Sequence, residues 1–167
     1  MKGNAKMPDR VNKILNHDLF IKNLAKNKIA EADRIFCRHD MGHFLDVARL
    51  AMILNLTESF GIEKELIYAA ALLHDIGRFR QYEEGIPHEQ ESARIAPEIL
   101  KECGFNNKET HVIITAIQSH RDARVREEKN LSGLLYRADK MSRNCFACEA
   151  ECQCDWKADK KNLTLQY

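Results

Sequence analysis

The sequence predicts an all-α fold, a compact helical bundle. Six or seven segments space their apolar residues at helical intervals. Strand-like alternation is nearly absent. Glycine and proline are sparse, at 7 and 3 of 167 residues.

Each element has its own warrant. Segment 8–28 begins with Pro8 and Asp9 as helix-start residues and has apolar residues at Val11, Ile14, Leu15, Leu19 and Leu24. A shorter candidate covers 28–36. Segment 40–60 has Asp40 as its N-cap and stops at Gly61. Segment 63–79 contains the apolar run Ala69–Leu73 and reads as a buried helix. A polar loop, 80–86, leads to Pro87, well placed to open a helix over 87–103. Pro97 is expected to kink that helix or end its first half. Segments 107–120 and 130–146 complete the set, joined by a charged loop.

Composition narrows the class. Hydrophobic residues make up 44% and charged residues 31%, as in a single globular domain with a real core. A net charge of +1 gives no basic field for a nucleic-acid duplex and no acidic tail. No apolar run approaches the ~20 residues of a membrane span. The N-terminal residues have no apolar signal core, which predicts a cytoplasmic protein. The division expected is a helical domain over 1–145 and a Cys-rich extension over 146–167, packed on it or trailing from it.

The stretch LLHDIGRF, residues 72–79, sets His74 and Asp75 directly behind an apolar run. Burying a carboxylate costs several kcal/mol unless something compensates it. The same conflict recurs along the chain. His43 is in line with Val47, Leu50 and Leu54. His88 is in line with Ser92, Ile95 and Ile99. His120 is in line with Ile113, Ala116 and Ile117, and Asp139 with Leu131, Leu135 and Tyr136. A single such residue is usually a satisfied core histidine or a paired aspartate. Six of them entering one small core share a simpler explanation, a metal centre. Imidazole and carboxylate suit borderline divalent ions.

His43, the doublet His74-Asp75 and then Asp139 resemble the H…HD…D pattern of the HD-domain superfamily of metal-dependent phosphohydrolases. The surrounding text, HFLDVARLA, AALLHDIGRF and LLYRADKMSR, matches too, so the resemblance covers roughly 38–145. It implies an all-α bundle with the metal site in its core. It implies His43, His74, Asp75 and Asp139 as ligands of a first ion. His88 and His120 match the binuclear subset, where two further histidines hold a second ion and the doublet aspartate bridges both. The alternative is that these two contact substrate phosphate beside one ion. Iron, manganese, zinc and nickel all suit the set. Single-metal nucleotidase members carry Glu three residues after the doublet aspartate; here that residue is Arg78. This departure favours attack by metal-activated hydroxide.

The implied activity is phosphohydrolase or phosphodiesterase chemistry on a small phosphorylated substrate, a nucleotide or related ester. Two other readings are a non-catalytic metal- or nucleotide-binding sensor and an HD-type di-iron oxygenase. Asp75, Arg78 and Lys140 are the expected catalytic residues. Arg78, Lys140, Arg121 and Arg143 are candidates for substrate phosphate. His39 reads as a residue of the site's rim or backing, and His17 and His111 as surface residues. Cys145, Cys148, Cys152 and Cys154 could form a small structural zinc site, or be free thiols. The extension is expected to pack back through Trp156 and Leu163.

Overall fold

A computed structural model of the chain describes residues 9–167. Every regular element among them is helical. The helices are α1 (Arg10–Leu15), α2 (Asp18–Ala30), α3 (Met41–Thr57), α4 (Lys64–Leu73), α5 (Arg78–Glu84), α6 (His88–Glu102), α7 (Asn107–Ser119) and α8 (Leu131–Met141). None is long and apolar enough to cross a membrane.

The apolar run identified in the sequence makes α4 the centre of the bundle. Ala69, Ala70, Ala71, Leu72 and Leu73 are all buried, as a helix apolar on every side requires. Helices α3, α7 and α8 pack around it, with α6 against α7. Phe44, Val47, Ile67, Ile99, Ile113, Ile117 and Leu134 fill the space between them. Arg10 ties the N-terminal turn to this frame, reaching Glu65 at 2.5 Å and Glu109 at 2.8 Å.

Four expectations are corrected. Segment 8–28 is two helices. The His17 side chain accepts the Leu19 N–H at 3.2 Å and so begins α2 as its N-cap. Asp9 caps α1, whereas Pro8 lies outside the described residues. The candidate over 28–36 is not a helix, because α2 ends at Ala30 and Glu31 turns inward toward His39. The helix from 63 stops at Leu73; after a four-residue turn α5 occupies 78–84, most of the expected loop. Finally, Pro97 does not end the first half of α6, which runs from His88 to Glu102.

The C-terminal extension folds back in 3-10 turns. Asn162 Nδ2 donates to the carbonyls of Lys140, Met141 and Arg143 at 2.8, 3.2 and 3.0 Å. It thereby satisfies carbonyls that the end of α8 leaves open. Trp156 takes part, with the Arg143 guanidinium 4.0 Å from its ring centre. Both Trp156 and Leu163 remain exposed, so neither is buried against the bundle.

Candidate metal centre

Helix ends build the site. His43 lies in the first turn of α3, and His88 is the first residue of α6. His74 and His120 are the C-cap residues of α4 and α7. Asp139 lies in the last turn of α8, and Asp75 in the turn after α4. All six come together.

They form two groups that share Asp75: His43, His74, Asp75 and Asp139, and then Asp75, His88 and His120. Within each, one ligand atom per residue lies within 4.8 Å of every other. Around Asp75 Oδ2 stand His74 Nε2 at 3.3 Å and His43 Nε2 at 3.6 Å. Asp139 Oδ1 faces the same two nitrogens at 3.7 and 3.5 Å. Around Asp75 Oδ1 stand His88 Nε2 at 3.0 Å and His120 Nε2 at 3.4 Å.

The local chain fixes which nitrogen faces inward. His74 Nδ1 donates to the Ala71 carbonyl at 2.7 Å, and His120 Nδ1 to the Ile117 carbonyl at 2.6 Å. The two motifs are alike: a C-cap histidine satisfies a carbonyl three residues back and turns Nε2 to the centre. Behind His43 Nδ1 stands Ser142 Oγ at 3.4 Å. His88 Nδ1 has Gln81 Oε1 at 2.5 Å and the donor Arg78 Nη1 at 2.6 Å, while its Nε2 faces Asp75 Oδ1. Backing of the outer nitrogen by a carbonyl or carboxylate is the usual setting of a metal-ligating histidine.

Two observations test whether the residues fit an ion. His88 Nε2 and His120 Nε2 crowd one point, 3.1 Å apart and at 3.0 and 3.4 Å from Asp75 Oδ1. Asp75 Oδ1 is buried and receives no hydrogen bond, an arrangement costing about 1–3 kcal/mol if left unmet. A divalent cation removes both defects, and nitrogen and carboxylate oxygen are the donors it takes. The residues fit.

The charges agree. Burial pushes Asp75 up, but the charges of His74 and His39, with the His120 and His43 rings close by, hold it well below the carboxylate range. Burial likewise opposes ionisation of Asp139, and the neighbouring His74 and the Lys140 charge overcome it. His88 is lowered, first by burial, with Arg78 and His120 adding to it against the pull of Asp75.

The expected cations divide. Arg78 reaches His88 and passes Nε to Tyr82 Oη at 3.2 Å. Lys140 bonds Asp139 Oδ2 and stands 3.5 Å from the His120 carbonyl. Arg121 is exposed, 3.8 Å from Glu89. Arg143 turns away to Trp156 and the Lys160 carbonyl, because α8 ends at Met141 and the one-turn alignment with Asp139 ends with it.

The cysteine tail makes no such cluster: among the described residues, the groups of three or more ligating side chains are the two at Asp75. The segment runs through tight turns at Cys145–Ala147 and Glu151–Gln153, and Cys152 is exposed. Cys37 is pushed up by desolvation and then by the charges of Cys145 and Cys148. His17 is a cap and a partner of Glu102 at 3.1 Å, a structural role that its sequence context did not disclose.

An HD-domain family model matches residues 41–144. The chain belongs to the HD-domain family. An uncharacterized protein of Clostridium beijerinckii is 47% identical over 159 residues, covering 95% of this chain and 99% of its own. The fold is also that of a solved protein from an uncultured Thermotogales bacterium, described as a predicted HD superfamily hydrolase. That match has a TM-score of 0.60 and 24% identity over 86% of this chain and 81% of the other. The aligned family region contains His43, the doublet and Asp139, and with them His88 and His120.

Proposed function

We propose that this HD-domain protein is a metal-dependent phosphohydrolase or phosphodiesterase. Its substrate is a nucleotide or related small phosphate ester. The observation that carries the reading is the sharing of Asp75, one oxygen in each of two ligand groups, with Arg78 and Lys140 at their edges.

A bound divalent ion lowers the pKa of its water toward 7 and withdraws charge from a phosphoryl oxygen. The protein does the rest. His43, His74, Asp75 and Asp139 hold a first ion; His88 and His120, with Asp75, hold a second. Arg78 and Lys140 meet the phosphate charge that the ions leave. Both are cationic donors, and Lys140 is only part-buried, so it can turn from Asp139 to a substrate. A low net charge suits a small substrate over a nucleic-acid duplex. Six unpaired cysteines suit a reducing cytosol.

The test is metal content of freshly purified protein beside Asp75→Ala, with both assayed on a panel of phosphate esters. About two ions per chain, lost together with hydrolysis in the variant, is the expected result. One ion per chain would assign His88 and His120 to substrate instead. Metal unaffected by Asp75→Ala would overturn the reading.

A further inference from the structure

His39 stands outside both ligand groups, but it is arranged as their members are. Its Nε2 lies 3.7 Å from Asp75 Oδ2, the oxygen that His43 and His74 also face. Three imidazole nitrogens therefore surround one carboxylate oxygen. At 3.7 Å the His39 contact is too long for a hydrogen bond. The nitrogen is aimed at the centre and bonds nothing there.

Its other nitrogen is held firmly. His39 Nδ1 donates to Glu31 Oε1 at 2.5 Å, and its backbone N–H to Glu31 Oε2 at 2.7 Å. Tyr82 Oη donates to Glu31 Oε1 at 2.7 Å. Glu31 is only 3% exposed. Among the described residues, His39 is the ion-pair partner recorded for its carboxylate. Burial pushes Glu31 up, yet the hydrogen bonds from the His39 ring, the His39 backbone and Tyr82 hold it at about 2. A carboxylate so placed fixes the tautomer and rotation of the ring, and leaves Nε2 as the free nitrogen.

His17 shows the contrast. It too has a glutamate partner, but Glu102 is exposed and the remaining nitrogen is spent capping α2. His39 keeps one nitrogen for the centre. It also directly precedes Asp40, the N-cap of α3, and its ring sits edge-on to His43 with centroids 5.4 Å apart.

We propose that His39, oriented by Glu31, is a further ligand of the ion held by His43, His74, Asp75 and Asp139. This rests on the reading of that group as an ion site, and the experiment separates the two. Cobalt(II) is the probe. Wild type, His39→Gln, Glu31→Gln and the exposed control His111→Gln are titrated with it. Cobalt bound per chain, affinity and the visible absorption of the bound ion are recorded, with circular dichroism to check folding. The expected result is a changed cobalt spectrum in His39→Gln and weaker binding of one ion. Glu31→Gln should follow in the same direction, on the order of 10- to 100-fold, while His111→Gln matches wild type. A wild-type spectrum and affinity in folded His39→Gln would overturn the proposal, even with hydrolysis reduced, since His39 would then contact water or substrate. If His39→Gln does not fold, Glu31→Gln decides: unchanged cobalt affinity overturns the proposal. A wild-type protein that takes up no cobalt would sink the ion site itself and this ligand with it.

Discussion

Asn27 and Asp75 are joined by a buried hydrogen bond, from Asn27 Nδ2 to the Asp75 carbonyl at 2.8 Å. The same amide accepts the Phe79 N–H through Oδ1, also at 2.8 Å. One side chain of α2 thus satisfies the backbone on both sides of the turn that carries the central carboxylate. Asn27→Leu keeps the volume and removes both bonds. Each buried group left unpaired costs about 1–3 kcal/mol. The variant should unfold at a clearly lower urea concentration and retain less metal. Wild-type values for both would show that the turn holds Asp75 in place unaided.

Gly77 is needed in that turn for room. A Cβ there would stand 2.6 Å from Ser92 N and 2.8 Å from Glu91 Cβ, both on α6. The close approach lets Ser92 Oγ accept the Gly77 N–H at 3.0 Å, one turn from His88. Gly77→Ala should push α6 away, costing about 1–3 kcal/mol as overpacking does and displacing His88. Gly85→Ala is the comparison. Gly85 has a φ of 71° with open space around it, so its cost of about 1–2 kcal/mol is backbone strain alone. Thermal unfolding should fall in both variants, but metal content only in Gly77→Ala. Equal metal loss in the two would count against a positional role for the α5–α6 contact.

The residues of the centre were legible because they break a pattern. An imidazole or carboxylate in an apolar helical stripe stands out, and His43, His74, His88, His120 and Asp139 all do. The bundle was legible from the same stripes. The turn after α4 was not, because Ile76 within it and Phe79 beyond it are both buried. Apolar spacing continues where the backbone changes direction, and a buried asparagine and a close glycine contact make the break. Glu31 was equally hidden. It lies in a polar stretch with no stripe to interrupt, and only the fold of the following loop brings it to His39. His17 was read as surface because a capping histidine has no spacing rule comparable to that of a core position.

Arg78 gives a test of the phosphate role. Its guanidinium lies between His88 and Tyr82, 2.6 Å from the ring nitrogen of the first and 5.3 Å from the ring centre of the second. Removing one donor aimed at developing charge costs about 10²–10³ in kcat. Arg78→Gln should lose activity on that order and keep its metal, since all six ligand side chains remain. Metal lost in parallel with activity would instead make Arg78 a support for His88.

The pH dependence of metal uptake follows from His74. Burial pulls its pKa down, but Asp75 and Asp139 outweigh burial and raise it from 6.5 to about 10 in the ion-free protein. A raised histidine stabilises the fold fully below its unfolded value, near 6.5, and loses that contribution as pH climbs toward about 10. Asp75 and Asp139 are shifted the other way. Their contribution is complete above about pH 4 and lost only in acid, so it does not change in this window. The His74 proton must leave before Nε2 can bind an ion. Ion-free stability should therefore fall from pH 6.5 upward while ion affinity rises, about tenfold per pH unit for one displaced proton. Unfolding scans with and without manganese at pH 6, 7 and 8 measure both. The rise in Tm on adding manganese should grow with pH. A rise that stays flat, with constant ion-free Tm, would mean that His74 carries no proton at Nε2 and is held neutral, ready for the ion, by its bond to the Ala71 carbonyl.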